Sequence, residues 1–445
     1  MKKSISIMFL LVLLLLSPIF AAGGKEAAPV AANGELSGAI TIWHSFTQGG
    51  RLDTIQKTAD SFMQLHPKVK ITIQTFSWSD FYTKWTTGFA SGNLPDLSTA
   101  LPNHVVEMID ADAIIPLDNL VDSMGRDRFA KAPLVEMTKD GKLYAIPLYS
   151  HAQVMWYRTD LLKKYNLAVP TTWDEFYNAA ATITKGEGGA VYGTSFPFGT
   201  NDMMGTRWLN FYVRSAGETL LTKDGKANLT SKAAIDGIKY WVKMYQDISP
   251  KDSINYNVLD QATLFYQGKT AFDFNSGFHI GGVNTNSPAL LDHIDSAPVP
   301  SVSKASAKAG YETSNIPMVI WKQSKHPEIS EAFIKHLYEP QNYVPFLLSV
   351  PVGMLPALPE IAQDPAMLNN PTVVKFANSL KVISDAVGEG TAVGMEYGPR
   401  PEAGLLTSQG VIETMFQNII VKGIAVETAA RDAENKLNDL FETVQ

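Results

Sequence analysis

The chain has 445 residues, of which 45% are hydrophobic and 18% charged, with a formal net charge of −7 and no cysteine. This length is sufficient for two lobes of about 150–200 residues, each with a core of its own. No stripe of Lys or Arg interrupts the acidic balance, which excludes a nucleic-acid partner because such a partner needs a basic surface. The absence of cysteine excludes disulfides, thiolate metal sites and a cysteine nucleophile.

The first 22 residues have the pattern of a secretory signal peptide. Two lysines precede an apolar run from Ile5 to Leu16, and small residues around Ala22 suit cleavage. The run is too short to cross a membrane as a helix. Residues 23–38, rich in Ala, Gly and Pro, predict a flexible tether. We expect an exported, periplasmic protein, cleaved near Ala22 and without a lipid anchor, since that anchor requires a cysteine at the cleavage site.

Strands and helices alternate in the first part of the mature chain. The short apolar run Ala39–Trp43 is followed by an amphipathic helix, Leu52–Leu65. The alternating strand Val69–Phe76 then precedes a second helix, Phe81–Ser91, and a third strand begins at Pro95. Such alternation predicts a mostly parallel sheet that is covered by helices on both faces.

The segment Gly141–Phe176 predicts the passage of the chain from one lobe to the other. It contains an extended stretch, Leu143–Pro147, then a polar elbow, Tyr149–Gln153, and then a buried strand, Val154–Tyr157. A short helix and a second helix follow, and the inner face of the second carries Trp173.

After this passage the alternation of elements resumes. The predicted elements are helices at Asp174–Ile183, Ala233–Tyr245, Leu259–Tyr266, Ile329–Tyr338, Gln409–Val421 and Glu427–Phe441, and strands at Thr270–Phe274 and Asn315–Trp321. The Pro-rich stretch Val350–Glu360 predicts a third connection. We therefore predict lobe 1 at residues 39–153 and 321–352, and lobe 2 at residues 154–320 and 353–445.

Two lobes with three connections would bind a ligand in the cleft between them, and a ligand that contacts both lobes favours closure. In open α/β sheets, ligands lie at the carboxyl ends of strands. The candidates that follow predicted strands are His44, Ser45, residues 76–79, residues 101–103, Tyr149, Ser150 and residues 275–278.

Aromatic residues give a second signal, because sugars present apolar C–H faces that stack on rings. Trp78 emerges from a loop and Trp208 from a predicted helix start, so each suits a ligand platform at least as well as packing. Trp85, Trp173 and Trp241 lie at helical spacing among apolar neighbours, which favours core packing.

Signatures of catalysis and metal binding are missing from the sequence. It contains no His-Glu-x-x-His motif and no Gly-x-Ser-x-Gly elbow. None of the eight histidines has metal-ligand spacing to another. Glu396 and Asp96 are the best carboxylates that an acid/base pair could use, and nothing in the sequence pairs them. We predict a protein that is not an enzyme and that needs no cofactor and no metal.

Nine segments carry a family resemblance: Ile42–Ser45, Gly92–Asp96, Ile115–Asp118, Gly141–Phe176, Phe265–Phe272, Pro298–Ser301, Lys325–Ile334, Gly353–Pro356 and Gly423–Ala429. Together they resemble the bacterial extracellular solute-binding proteins of sugar-import ABC transporters, which include the maltose-binding and glycerol-phosphate-binding proteins. The resemblance covers almost the whole mature chain in family order. It implies the type II periplasmic-binding-protein fold, an α/β fold with two mixed-sheet lobes and a hinge of about three connections.

The resemblance also implies the ligand contacts. They are His44, Ser45, Asn103, Tyr149, Ser150, Trp208, Asn275, Ser276, Phe278, Asn315, Met354 and the loop Glu396–Arg400, to which the aromatic argument adds Trp78. In glycerol-phosphate-binding relatives a tyrosine and an arginine hold the phosphate where this chain has Met354 and Glu396. Since a carboxylate repels a phosphate, a neutral mono- or oligosaccharide is the preferred ligand.

By this resemblance the protein is the periplasmic substrate-binding component of an ABC importer. As a monomer, it would capture a carbohydrate in the interlobe cleft and deliver it to inner-membrane permease subunits. Three alternatives stay open. The ligand could be a non-sugar solute, namely a polyol, a compatible solute or a compound of the glycerol-phosphate type. A chemotaxis receptor module would share the fold, and a secreted carbohydrate-active enzyme would be a different class of protein.

Overall fold

Strands and helices alternate over residues 38–110, as the apolar patterns predict, whereas runs of consecutive helices make up much of the rest of the described chain. The computed structural model describes residues 35–47, 50–305 and 311–444. The predicted signal peptide and most of the predicted tether therefore lie outside the described residues. From Leu36 onward the described residues belong to one unit. None of their helices is long and apolar enough to cross a membrane.

The strands are β1 Gly38–His44, β2 Val69–Thr75, β3 Leu97–Thr99, β4 Thr138–Lys139, β5 Lys142–Leu143, β6 Ile146–Ala152, β7 Val154–Arg158, β8 Phe272–Asn275, β9 Ile294–Ala297, β10 Thr313–Ile320 and β11 Leu355–Pro356. The helices are α1 Gly50–Leu65, α2 Trp78–Ser91, α3 Pro102–Asp110, α4 Asp118–Met124, α5 Lys131–Glu136, α6 Thr159–Lys164, α7 Trp173–Gly186, α8 Met204–Ser215, α9 Lys232–Ile248, α10 Val258–Tyr266, α11 Phe278–Asn286, α12 Pro327–Leu337, α13 Pro340–Leu348, α14 Pro365–Leu368, α15 Pro371–Lys375, α16 Ala377–Glu389, α17 Pro401–Ser408, α18 Val411–Lys422 and α19 Val426–Phe441.

Lobe 1 is built on a six-stranded sheet with the order β11-β6-β10-β3-β1-β2. β1 pairs in parallel with β2 and β3, whereas β10 runs antiparallel to β3 and β6. Period-two alternation buries Ile40 and Ile42 of β1, and helical spacing buries Ile55, Ala59 and Phe62 of α1 in the same core. Helices α1–α5, α12 and α13 belong to this lobe.

Lobe 2 is built on a three-stranded sheet with the order β8-β7-β9, in which both pairings are antiparallel. One face packs on a large aromatic core, where the rings of Trp173 and Trp241 lie 5.1 Å apart. Both tryptophans are core residues, as predicted. The other face packs on a smaller core that includes Phe265 of α10, Ile280 of α11 and Ile383 of α16. Helices α6–α11 and α16–α19 belong to this lobe.

The structure corrects three sequence predictions about the sheets. Pairing is mixed in lobe 1 and antiparallel in lobe 2, not mostly parallel. Tyr149–Gln153 is not an elbow, because Ile146–Ala152 forms one strand and only Gln153 separates it from β7. The lobe boundary at residue 320 is wrong, since Thr313–Ile320 pairs with β6 in lobe 1. A strand that is buried along its whole length gives no signal of which sheet it joins.

Glu413 of α18 is a buried carboxyl beneath the first turn of α8. Its Oε1 accepts hydrogen bonds from the backbone N of Thr206 at 2.7 Å and from Thr206 Oγ1 at 2.9 Å. Burial raises the pKa of Glu413 to about 7. An unfolded chain titrates such a carboxyl near pH 4.3, roughly. The folded state therefore holds the proton more tightly, and this contribution to stability is complete below about pH 4 and lost as the pH rises through 7.

We expect Glu413→Gln to remove this pH dependence while it keeps an oxygen acceptor for Thr206. The free energy of unfolding of the variant minus that of the parent should be about 1–3 kcal/mol larger at pH 8 than at pH 5. Urea denaturation at both pH values measures it. Glu442→Gln, at the exposed end of α19, is the control and should show no such rise. If variant and parent differ in stability by the same amount at both pH values, burial does not raise the pKa of Glu413 in this way.

Candidate ligand-binding cleft

A cleft of about 410 Å³ lies between the two lobes, a volume within the usual range of small-molecule sites. Lobe 1 lines it with Arg51, Trp78, Asp80, Tyr82, Thr83, Leu101, His104, Tyr149, His151, Gln153, Ser314 and Ile316. Lobe 2 lines it with Thr200, Asn201, Asp202, Met203, Arg207, Val258, Leu259, Ala262, Tyr266, Asn275, Ser276, Phe278, Thr407 and Ser408. Both lobes therefore contribute polar and aromatic side chains to one site.

Five predicted contact residues line this cleft: Trp78, Tyr149, Asn275, Ser276 and Phe278. The strand-end rule succeeds best for lobe 2, where β8 ends at Asn275 and the next residues lead into α11 at Phe278. Trp78 is only half-buried at the first position of α2, which leaves part of its ring free to contact a ligand.

Five other predicted contact residues are buried and do not line the cleft: His44, Ser45, Asn103, Ser150 and Asn315. Burial lowers the pKa of His44 to about 4, and its ring stacks on Phe46 at 5.0 Å. Ser150 Oγ donates to Asn315 Oδ1 at 2.6 Å. Asn103 Nδ2 donates to Thr407 Oγ1 and thereby joins α3 of lobe 1 to α17 of lobe 2. These side chains support the cleft instead of forming its surface.

Trp208 and Met354 are core residues, so their predicted role as ligand contacts is wrong. Trp208 is 0% exposed, and its ring lies 4.7 Å from Phe196 and 4.9 Å from Phe274. It lies on the inward face of α8, one turn inside the helix and not at its start. Met354 is buried in the core of lobe 1.

Glu396 and Arg400 also do not line the cleft, because each is bound within lobe 2. Glu396 Oε1 accepts from Arg214 Nη1 at 3.0 Å. The Nη atoms of Arg400 donate to the carbonyls of Thr222 and Lys223 at 3.0 and 3.2 Å. Since neither Met354 nor Glu396 lines the cleft, neither residue bears on whether the cleft accepts a phosphorylated ligand.

The predictions missed the charged residues of the cleft. Arg51 lies at the second position of α1, six residues after the strand-end candidate Ser45, and a wider window after β1 would have included it. Arg207 and Asp202 lie at the start of α8, which no strand of the sheet precedes. The sequence gives no signal for these two residues.

Two arginines give the cleft its positive charge, and they differ in their partners. Arg207 Nε donates to Glu312 Oε2 at 2.5 Å in a buried ion pair. The guanidinium carbon of Arg51 lies 5.1 Å from the ring of Phe46 and 4.4 Å from the ring of Phe278. Arg51 thus bridges the lobes by cation–π contacts, since Phe278 belongs to lobe 2.

Four buried polar atoms of cleft residues have no hydrogen-bond partner within the described part of the chain. They are Arg51 Nε, His104 Nδ1, His151 Nδ1 and Gln153 Oε1. Burial lowers the pKa of both histidines to about 3, so both rings are neutral at physiological pH. Each unpartnered buried group costs about 1–3 kcal/mol. The cleft is therefore suited to a ligand that supplies several hydrogen bonds.

Metal binding has no counterpart in this geometry. Throughout the ranges that the structure describes, no group of three or more His, Asp or Glu side chains could hold a metal ion. Asp202 of the cleft is already occupied, because its two carboxylate oxygens accept from the backbone N atoms of Met203 and Val258 at 2.7 and 2.8 Å. It fixes the start of α8 against the start of α10.

Comparison with known proteins places the fold and the cleft in a family. A sequence profile for bacterial extracellular solute-binding proteins matches residues 46–344. The maltotriose-binding protein of Pyrococcus abyssi is 22% identical over 353 residues, which are 78% of this chain and 72% of that protein. A solute-binding protein of Thermotoga lettingae, solved with alpha-D-tagatose, matches with a TM-score of 0.78 at 19% identity and covers 91% of this chain and 99% of its own.

A third similar protein is a solute-binding protein of Agrobacterium radiobacter, solved in complex with ribitol. It has a TM-score of 0.77 at 19% identity, over 92% of this chain and all (100%) of its own. The structural matches confirm the predicted bilobal α/β fold. The profile spans well over half of the chain, so the chain belongs to the bacterial extracellular solute-binding protein family.

Proposed function

We propose that this protein is the substrate-binding component of an ABC importer and captures a carbohydrate or a related polyol in the interlobe cleft. The observation that carries the proposal is the set of four unpartnered polar atoms beside aromatic rings in one cleft. A sugar offers hydroxyls to such atoms and C–H faces to such rings. The similar proteins are named for, or solved with, maltotriose, tagatose and ribitol, which have this chemistry.

Delivery to a membrane permease and the absence of catalysis are part of the proposal. Proteins of this family are binding proteins. A glycosidase would need two free carboxyl groups on either side of the scissile bond. In the cleft, Asp202 has both oxygens bound to backbone N–H groups, which leaves Asp80 without a partner for that chemistry. We propose a periplasmic monomer that is exported by the predicted signal peptide.

A thermal-shift screen tests this function. We expect at least one member of a panel of mono- and oligosaccharides and polyols, including maltotriose, tagatose and ribitol, to raise the melting temperature, because a ligand of the folded state stabilises it by mass action. Calorimetry of each positive compound then gives the dissociation constant. If no panel member shifts the melting temperature, the proposal is contradicted. Cleavage of an oligosaccharide into shorter sugars would favour the enzyme alternative.

We expect Trp78→Ala to weaken binding of the ligand so identified by about 1–3 kcal/mol, or roughly 5- to 150-fold in the dissociation constant. The physical reason is the loss of the ring that one sugar face would stack on. Phe89→Ala, an exposed position on the same helix α2, is the matched control and should bind like the parent. Unchanged affinity of Trp78→Ala in calorimetry would remove this ring from the site.

A further inference from the structure

Arg51 is a buried cation in the cleft that no carboxylate within the described ranges pairs with. We propose that the ligand is an acidic sugar, and that its carboxylate binds the guanidinium of Arg51. This inference rests on the proposed function and narrows its ligand from carbohydrates in general to sugar acids such as uronates.

The position of Arg51 leaves its charge for a ligand. The side chain is 9% exposed, and it lies at the cleft end of α1. The aromatic rings of Phe46 and Phe278, 5.1 and 4.4 Å from the guanidinium carbon, hold it in place. Ring faces attract a cation but do not accept the in-plane N–H bonds of a guanidinium as a carboxylate does. Nε accordingly has no partner among the described residues.

The neighbours of Arg51 supply no negative charge. The phenol of Tyr149 interacts electrostatically with Arg51, and burial raises the pKa of that phenol, which is therefore neutral. Asp80, another cleft carboxylate, is exposed and accepts from Ser77 Oγ at 2.7 Å. A charge removed from water without a counter-ion is costly. A ligand anion would offset that cost only in the closed, ligand-bound state.

Arg207, in the same cleft, differs from Arg51 because a carboxylate balances its charge. It makes a buried ion pair with Glu312, and so contributes no free positive charge. The single uncompensated guanidinium matches the single charge of a carboxylate. A phosphate monoester, with a charge of about −1.5 to −2 near pH 7, would require a second free cation.

The cleft favours an acidic ligand over the neutral one expected from the sequence. Met354 and Glu396, which led to the expectation of a neutral ligand, do not line the cleft, whereas Arg51 does. The hydroxyl-binding atoms His104 Nδ1, His151 Nδ1 and Gln153 Oε1 suit a neutral and an acidic sugar equally, so Arg51 is the group that distinguishes them.

Matched pairs of ligands test the proposal on the whole protein. The pairs are glucose with glucuronate and galactose with galacturonate, and galactose 6-phosphate supplies the phosphate arm. Calorimetry at low salt measures each dissociation constant. For the pair that fits the cleft, we expect the acid to bind at least about tenfold more tightly than its neutral counterpart and more tightly than the phosphate.

The variant Arg51→Gln should abolish the preference. We expect its affinity for the acid to fall at least about tenfold, and by a clearly larger factor than its affinity for the neutral counterpart. Arg51→Lys keeps the positive charge but lacks the planar guanidinium, so it should retain part of the preference for the acid over the neutral sugar. Arg128→Gln, an exposed arginine paired with Glu360, controls for net charge. Melting temperatures without ligand check that each variant is folded.

Three results would overturn the proposal: tighter binding of the neutral member, tighter binding of the phosphate, or an equal loss for both members in Arg51→Gln. If neutral sugars bind and acids do not, the carbohydrate-binding function stands and only this inference fails. If no sugar of either kind and no polyol of the screen binds, the proposed function itself fails, and the inference fails with it.

Discussion

We expect Trp208→Ala to lower the free energy of unfolding of lobe 2 by about 3–5 kcal/mol, as for other large-to-small core substitutions. The indole is 0% exposed and lies among the rings of Phe196, Trp241 and Phe274 at centroid distances of 4.7, 5.3 and 4.9 Å. Truncation would remove contacts with all three rings and leave a cavity that α8 and β8 cannot close. Denaturant unfolding followed by circular dichroism measures the loss.

Trp78→Ala is the matched comparison, because it removes the same side chain from a half-buried position at the cleft. We expect Trp208→Ala to change stability with little effect on the affinity of the folded fraction, and Trp78→Ala to do the reverse. A loss of affinity in Trp208→Ala without a loss of stability would place this indole in the site after all. The pair of variants therefore separates a packing role from a binding role.

The sequence predicted most elements because their signals are local. The apolar face of α1, with Ile55, Ala59 and Phe62 at helical spacing, is visible without the rest of the fold. The sequence does not indicate the lobe to which Thr313–Ile320 belongs. Each residue of this strand is buried, so its pattern would suit either sheet. Sheet membership depends on pairing partners that are distant in the sequence.

The candidate site was predictable in part for the same reason. Asn275, Ser276 and Phe278 follow directly from the end of a strand, so a local rule finds them. Arg51 and Thr407 reach the cleft from helices of opposite lobes, and their approach depends on how the lobes close. An indole such as that of Trp208 can stack on a sugar. Its position one turn inside α8, which the sequence does not reveal, determines that it packs inward.

The contact between α3 of lobe 1 and α17 of lobe 2 depends on a glycine. A Cβ atom added at Gly404 would overlap Oε1 of Glu107 and lie 2.9 Å from the carbonyl oxygen of Asn103. Glu107 can rotate, but the carbonyl belongs to the backbone of α3 and cannot. The adjacent bond from Asn103 to Thr407 forms only when the two helices meet. Gly404 therefore lets α17 of lobe 2 reach α3 of lobe 1.

We expect Gly404→Ala to destabilise the closed state by about 1–3 kcal/mol, as overpacking of a close contact does, and so to raise the dissociation constant about 5- to 150-fold. A conformation in which the two helices are apart should be unaffected, so the melting temperature without ligand should fall little. Calorimetry with the ligand from the screen measures the affinity. Small-angle scattering with and without ligand measures closure.

Two further variants decide whether the glycine acts through this contact. Gly388→Ala on α16, where nothing lies within 4 Å of the added Cβ, should bind like the parent and controls for the change of helix propensity. Adding Glu107→Ala to Gly404→Ala removes the side-chain clash but not the backbone one, so rescue should be partial. Parental affinity in Gly404→Ala would mean that the ligand-bound state does not bring α3 and α17 together. In that case the cleft residues of α17, Thr407 and Ser408, would leave the site, whereas Trp78 and Arg51 on the lobe 1 side would keep their roles.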